Sequence, residues 1–333
     1  MTDLSTTFAG LKLKNPIIIG SSGLSDSSVN IEGLEKAGAA AVILKSLFEE
    51  EILRDLNARM QRMSSEGFLY PETLEYYDNI DSPNEATGTY LEQISKAKKG
   101  VSIPVIASIN CITSSQWTYF PKQIESAGAD ALELNIFVLP SDFKRSAEEN
   151  EQLYFQIISE VTRQVKIPVI VKLSYYFSNL ASFLKKVSNS GIHGLVLFNR
   201  FYNPDIDIEN FEFTAGAVLS NPADFYNTLR WVGILSGRLG CSLGASTGIH
   251  DGNSMIKMLL TGANAVEVAS TVYINGYEQI QIMLDELEQW MNSKDFKSIE
   301  DFRGMMSQSK TENPAAYERV QFMKYFRGFR KAD

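Results

Sequence analysis

Eight times along the chain, a short β-branched apolar run ends in a polar or glycine-containing turn and is followed by a stretch of helical periodicity. The runs are "NPIIIGSSG" (15–23), "AAVILKS" (40–46), "PVIASIN" (104–110), "ALELNIF" (131–137), "PVIVKLS" (168–174), "GLVLFNR" (194–200), "CSLGAST" (241–247) and "AVEVAST" (265–271). They are apolar on both faces, which suits parallel strands covered by helices. Amphipathic stretches at 89–100, 118–128, 147–165, 178–190, 222–238 and 252–261 fill the intervals. The turns "AGAA", "AGAD", "SGIH" and "TGAN" close several of them, with glycine where a helix C-cap often takes a positive φ. Eight such units without a linker predict an α/β fold, a TIM (β/α)8 barrel, as one domain over 1–333. A doubly wound sheet is the alternative.

Two connections are unusually long: 47–88 after strand two and 201–221 after strand six. Both leave strand C-termini, where barrel active sites are built, so lid or substrate-loop roles are expected. The tail 294–333, with "SIEDFRGMM" and the basic "KYFRGFRK", is expected to pack a last helix outside the barrel.

With 44% hydrophobic residues there is ample material for a large core, and the net charge of −9 argues against nucleic acid or an anionic membrane as main partner. The opening "MTDLSTTFAG" has neither the basic nor the apolar region of a secretory signal. No apolar run approaches the ~20 residues needed to cross a bilayer. Cys111 and Cys241 lie far apart with no metal spacing, which points to a reducing cytoplasm. His193 and His250 are the only histidines, so a histidine-based zinc site or serine triad has little to work with, and no metal is expected.

The strand C-termini form a polar set: Ser21, Ser22 and Gly23, then Lys45 and Ser46, Asn110, Asn135, Lys172, Asn199, Thr247 with Gly248, and Ser270 with Thr271. A lysine in a barrel interior needs an anion or an acceptor, since an unmet ammonium costs several kcal/mol there. A bound anionic group or a neighbouring carboxylate such as Glu133 would supply it. The backbone N–H groups of "STGI" and "AST" would converge at helix N-termini, the usual place for a phosphate after strands seven and eight. Ordinary turn chemistry is the plainer reading of those glycines. Two phosphate turns with two lysines and three amides suit a flat phosphorylated cofactor, and FMN fits best.

These residues resemble the dihydroorotate dehydrogenase family over about 15–290. The matching pieces are "LKNPIIIGSSG", "VILKS", "LELN", "IPVIVKLS", "VLFNR", "AVLSNPADFYNTLRWV" and "STGIHDGNSMIKMLLTGANAVEVAST". The resemblance implies FMN contacts at Ser21, Ser22, Gly23, Lys45, Ser46, Asn110, Asn135, Lys172, Asn199 and Ser220. It also implies a phosphate loop at Thr247, Gly248 and Ile249 and further contacts at Ser270 and Thr271. It implies oxidation of dihydroorotate to orotate in pyrimidine biosynthesis, with Lys45, Asn135 and Asn199 at the reacting centre. A soluble homodimer is implied too, as no amphipathic extension precedes strand one.

The match breaks after Asn135. The family's motif there runs Asn-Leu-Ser-Cys-Pro-Asn, with a Cys or Ser base that takes the C5 proton; this chain has Ile136, Phe137, Val138, Leu139 and Pro140. The family's Asn-x-Gly substrate loop is not recognisable in "MSSEGFLYPETLEYYDN", and Arg200 replaces a Ser or Thr. Val138 cannot accept a proton. Cys111, Tyr70, Tyr175 and Tyr202 are the replacement bases to consider. Three readings stay open: oxidation of dihydroorotate or a relative, flavin chemistry on another ring or activated alkene, and flavin binding without turnover. A tRNA-reducing flavin barrel is opposed by the −9 charge.

Overall fold

In the computed structural model, which describes residues 2–55, 86–112, 120–201 and 203–318, the eight runs form one closed parallel barrel. The strands are β1 (Thr6–Phe8), β2 (Leu11–Leu13), β3 (Ile17–Ile19), β4 (Ala41–Ile43), β5 (Leu47–Phe48), β6 (Val105–Cys111) and β7 (Ala131–Ile136). They continue with β8 (Val169–Leu173), β9 (Gly194–Leu197), β10 (Pro204–Asp207), β11 (Glu212–Ala215), β12 (Ser242–Ser246) and β13 (Ala265–Val268). Strand β4 pairs with both β3 and β6, which closes the ring. The helices are α1 (Ser28–Lys36), α2 (Ala86–Gly100), α3 (Phe120–Ser126), α4 (Ala147–Thr162), α5 (Leu180–Ser188), α6 (Phe225–Leu235), α7 (Gly252–Thr261), α8 (Ser270–Asn275) and α9 (Glu278–Ser293). A doubly wound sheet is excluded by the closure.

Side chains alternate across a strand, and the barrel sorts them accordingly. In β7, Leu132, Leu134 and Ile136 join the outer core under the helices, while Ala131 belongs to a separate inner core. That inner core is one residue or two from nearly every strand: Ile18, Ile43, Ile106, Ala131, Ile170, Val196 and Ala265, all inaccessible to solvent. Phe8, from the β1–β2 hairpin, plugs it. Gly194 and Gly244 make the room, since a β-carbon on either would stand 3.1 Å from the Phe8 ring. Two positions further along the strands the same inward rows carry Ser108, Glu133, Lys172 and Glu267 instead. The barrel is therefore apolar below and ionisable above.

The helices begin and end where local chemistry dictates. Ser146 and Glu149 form a reciprocal capping box on α4, and Gly262, at φ 117°, closes α7 in the left-handed region. The connection after β9 carries the β10–β11 hairpin, paired from Pro204↔Ala215 to Asp207↔Glu212. From 294 to 318 the chain packs against α6 and α7, with Gly304 donating to the Leu259 carbonyl and Gln308 to that of Gly233. This part forms turns and two short 3-10 helices, Ile299–Asp301 and Pro314–Tyr317, where a helix was expected; the rest of the tail lies outside the described residues. Most of the 47–88 connection, including Tyr70, also lies outside them. Among the described residues, no helix is long and apolar enough to cross a membrane.

Candidate active site

The polar strand ends meet at the C-terminal mouth of the barrel. Asn110, Asn135 and Lys172 are direct partners in the register across β6, β7 and β8, so three predicted residues stand in one row. The Oδ1 atom of Asn135 is buried and has no hydrogen-bond partner. Asn199 is buried, and its Nδ2 donates to the carbonyls of Ile136 and Lys172, both at 3.2 Å, which ties the ends of β7 and β8 together.

The buried ammonium of Lys172 is met by a carboxylate, but from a strand the sequence did not suggest. Lys172 Nζ lies 2.6 Å from Oε2 of Glu267 on β13, while Glu133 stands beside the pair. Burial opposes the charge on Lys172, and the carboxylates of Glu267 and Glu133 overcome it, leaving its pKa raised. Burial and the nearby Glu267 charge push Glu133 well above the ordinary carboxyl range, although Lys172 pulls the other way.

On the neighbouring edge, Ser21 and Ser46 share a hydroxyl–hydroxyl hydrogen bond of 2.9 Å, and Ser46 continues to Ser108 at 2.8 Å. Ser22 donates to the Gly20 carbonyl and accepts from the Leu24 N–H, capping a short 3-10 turn. Gly23 sits where a β-carbon would come within 2.9 Å of the Tyr273 hydroxyl. Lys45 is exposed. Cys111 ends β6, and its side chain lies outside the described residues, as does Tyr202.

Beyond β12 the chain turns sharply through Thr247 and Gly248, with φ of 77° and 76°. A β-carbon on Gly248 would stand 2.3 Å from the Phe225 nitrogen, so only glycine fits between the turn and the start of α6. Ser220 joins the two turns: its hydroxyl accepts from the Gly248 N–H at 3.4 Å and lies 3.1 Å from His250 Nε2, while its N–H donates to Ser270 Oγ at 2.9 Å. Thr271 is fully buried and donates to the His250 carbonyl, and the Ile249 side chain packs into the outer core. The predicted phosphate set is thus one cluster, and His250 is a member that periodicity and spacing did not reveal.

A family model described as Dihydroorotate dehydrogenase matches residues 3–291. The chain belongs to the dihydroorotate dehydrogenase family. It is 28% identical to the dihydroorotate dehydrogenase B (NAD(+)), catalytic subunit, of Thermoplasma volcanium, over 92% of this chain and 99% of that protein. The subunit of the same name from Methanocaldococcus jannaschii is 25% identical, over 91% of this chain and 97% of its own length. This family is one of oxidoreductases, and the barrel agrees with it.

The side of the mouth above β7 and β8 departs from what the dihydroorotate dehydrogenase motif implies. Val138 is buried at the expected base position. Around it stand Phe137 stacked on Phe201 at 3.9 Å between centroids, Tyr176 against Phe201, and Tyr175 against Phe198. A cavity of about 210 Å³ adjoins Val138, lined also by Asn150, Glu151, Tyr154, Tyr176 and Phe177 and by none of the predicted cofactor contacts. Tyr175 is exposed at the mouth; burial and its contact with Tyr176 raise its pKa, so it keeps its proton at neutral pH. Arg200 holds the strand-six connection, donating to the Val218 carbonyl at 2.7 Å and facing Asp224 at 3.5 Å. A larger cavity of about 510 Å³, near His193 and Cys241, contains none of the predicted site residues.

Proposed function

We propose that this chain is an FMN-dependent oxidoreductase acting on a CH–CH bond of a small ring, dihydroorotate or a relative of it. One observation carries the reading: the buried Asn135 Oδ1 lacks a donor at the mouth, in register with Lys172. An unpaired buried acceptor is costly, and the N–H edge of a flat ring would satisfy it. The Gly248 turn supports the other end of the cofactor, because the space a β-carbon would need is already taken by backbone. Ser220, Thr247, Gly248 and Ser270 would hold the phosphate, with the buried side chains of Ile249 and Thr271 fixing the two turns. Ser21, Ser22 and Gly23 would back the ring, with Lys45, Ser46, Asn110, Asn135, Lys172 and Asn199 along its edges.

Bound FMN supplies two-electron redox chemistry. The chain's part is to orient the ring, keep water from it and handle protons. Asn199 holds the ends of β7 and β8 in place, and Lys172 brings a cation whose charge Glu267 already balances. A homodimer is proposed on the resemblance alone, and a cytoplasmic location on the two widely separated cysteines; light scattering would check the dimer. The test of the main reading is the purified protein's visible spectrum with an FMN titration. Yellow protein, or uptake of FMN by colourless protein, is expected; no uptake would defeat the reading.

The aromatic surround of Val138 favours a second reading of the substrate. The rings of Phe137, Tyr176 and Phe201 beside Val138 suit contact with a flat ring or activated alkene. Tyr175 would then give a proton to the substrate instead of taking one. Under this reading dihydroorotate bleaches the flavin slowly or not at all in anaerobic mixing. Val138→Cys then speeds bleaching, by up to the ~10²–10⁴ expected of a general base. Bleaching by the natural protein at ordinary enzyme rates, around 1–10³ s⁻¹, would sink it and make Cys111→Ala the next change to test.

A further inference from the structure

Two carboxyl groups and one ammonium share the upper barrel interior: Glu133 is inaccessible, Glu267 is 3% exposed and Lys172 8%. Fully ionised, the three would leave one negative charge uncompensated where an unpaired charge is costly. A single proton removes it. Its place is indicated by the two oxygens that lack partners. Lys172 engages Oε2 of Glu267, and Ser108 donates to Oε1 of Glu133 at 3.4 Å. Left over are Oε2 of Glu133 and Oε1 of Glu267, both buried without a hydrogen bond. Both carboxylates act on the same Lys172 ammonium, and the Glu267 charge also bears directly on Glu133. Two carboxylates so placed repel unless a proton lies between them.

Among the described residues, Tyr90 on α2 is a further titratable group that feels Glu133. Its hydroxyl donates to the Ser108 carbonyl and accepts from the Ser108 N–H, and burial raises its pKa, so it stays neutral. From Ser108 a line of hydroxyls runs outward: Ser108 to Ser46 at 2.8 Å, and Ser46 to half-buried Ser21 at 2.9 Å. In both contacts either oxygen can be the donor. Such a line can pass a proton either way.

We propose that Glu133 and Glu267 share one exchangeable proton, with Lys172 as counter-charge, and that Ser108, Ser46 and Ser21 conduct it between the barrel interior and the mouth. For outward transfer the carboxyl of Glu133 turns to bring its proton to Oε1, the oxygen beside Ser108. That O–H bond then breaks as the proton bonds to the Ser108 oxygen, whose own hydrogen has turned toward Ser46. The Ser108 proton passes to Ser46, the Ser46 proton to Ser21, and the Ser21 proton to an acceptor at the mouth. Glu133 remains as a carboxylate and no electron moves. Inward transfer from water reverses every step. The mouth thereby has a proton route that needs nothing from Val138; that consequence rests on the oxidoreductase reading, whereas the proton store does not.

Infrared spectroscopy of the full-length protein at neutral pH, in water and after transfer to heavy water, tests both parts. The expected result is the C=O stretch of a protonated carboxyl, lost in Glu133→Gln and in Glu267→Gln. In heavy water that band shifts promptly in the natural protein, and about tenfold or more slowly in Ser108→Ala. Ser46→Ala cuts the same line and serves if Ser108→Ala does not fold. A band absent at neutral pH, or unchanged in both glutamine variants, overturns the shared proton. A shift as fast in the serine variants as in the natural protein overturns the conduction path. The measurement needs no flavin, so colourless protein that gives these bands would uphold the proton store while defeating FMN binding.

Discussion

The lower and upper halves of the barrel interior are built by the same strands, with the same alternation, two residues apart. Below, Ile106, Ala131, Ile170 and Ala265 make a layer that excludes water and is closed by Phe8. Above, Ser108, Glu133, Lys172 and Glu267 occupy the next inward positions and are also buried. The lower layer answers only to volume and hydrophobicity. The upper layer answers to charge balance, because each ionisable group there is tolerable only with its neighbours. A barrel can carry chemistry inside its core provided the polar layer is neutral as a set.

The largest test of this contrast moves a carboxyl down one layer. Ala131→Glu places it where no cation or hydroxyl waits and where extra volume must also be fitted. We expect a loss of about 4 kcal/mol or more, or no cooperative unfolding at all, in urea denaturation. A stable Ala131→Glu protein would show that the lower layer is not dry.

Next in size is removal of the cation above. Lys172→Met leaves Glu267 buried without its partner and should cost about 3–5 kcal/mol. Adding Glu267→Leu should recover most of it, since an apolar pair of similar volume often replaces a buried ion pair at little cost. If the double variant is no better than the single one, charge balance is not what holds the upper layer together.

A smaller effect is confined to pH. The folded-state pKa of Glu133 is raised, so its stabilising contribution is complete below the ordinary glutamate range and is lost as pH climbs toward the raised value. Stability should therefore fall across that window by up to about 1.4 kcal/mol per pH unit from this group. Glu133→Gln keeps the hydrogen-bonding shape of the protonated acid and should remove this slope, with an advantage over the natural protein that grows toward alkaline pH. Parallel unfolding curves at several pH values would check it. The smallest change belongs to the lower layer: Ile106→Val should cost about 0.5–1.5 kcal/mol, equally at every pH.

Much of the scaffold was legible in the chain itself. The eight apolar runs, the helices between them and the glycine that closes α7 follow from periodicity and local backbone preference, and the barrel contains all of them. So do the polar strand ends, because an amide or lysine after an apolar run has few places to go but the mouth. Asn110, Asn135 and Lys172 could each be named as site candidates, but their shared register could not. The function of Arg200 was hidden for a different reason: its carbonyl and carboxylate partners lie on the connection that follows it, whose path no periodic signal describes. His250 was passed over because it makes no metal pattern; only the packing of two turns brings it to Ser220.

By itself, then, the sequence determined that eight strands apolar on both faces would pair in parallel and that polar residues, two lysines among them, would stand at their C-terminal ends. It did so through short-range rules: a strand's period of two and a helix's period near four are properties of the backbone next to each residue. Which carboxylate meets Lys172 was settled only by the tertiary structure. Glu267 is 95 residues away in the chain, and closure of the barrel brings it to 2.6 Å. Glu133, the nearer candidate in sequence, is left facing that pair with an unpartnered oxygen. Register and closure decide such meetings, because they sum small displacements over every strand, and no local stretch of sequence contains that sum.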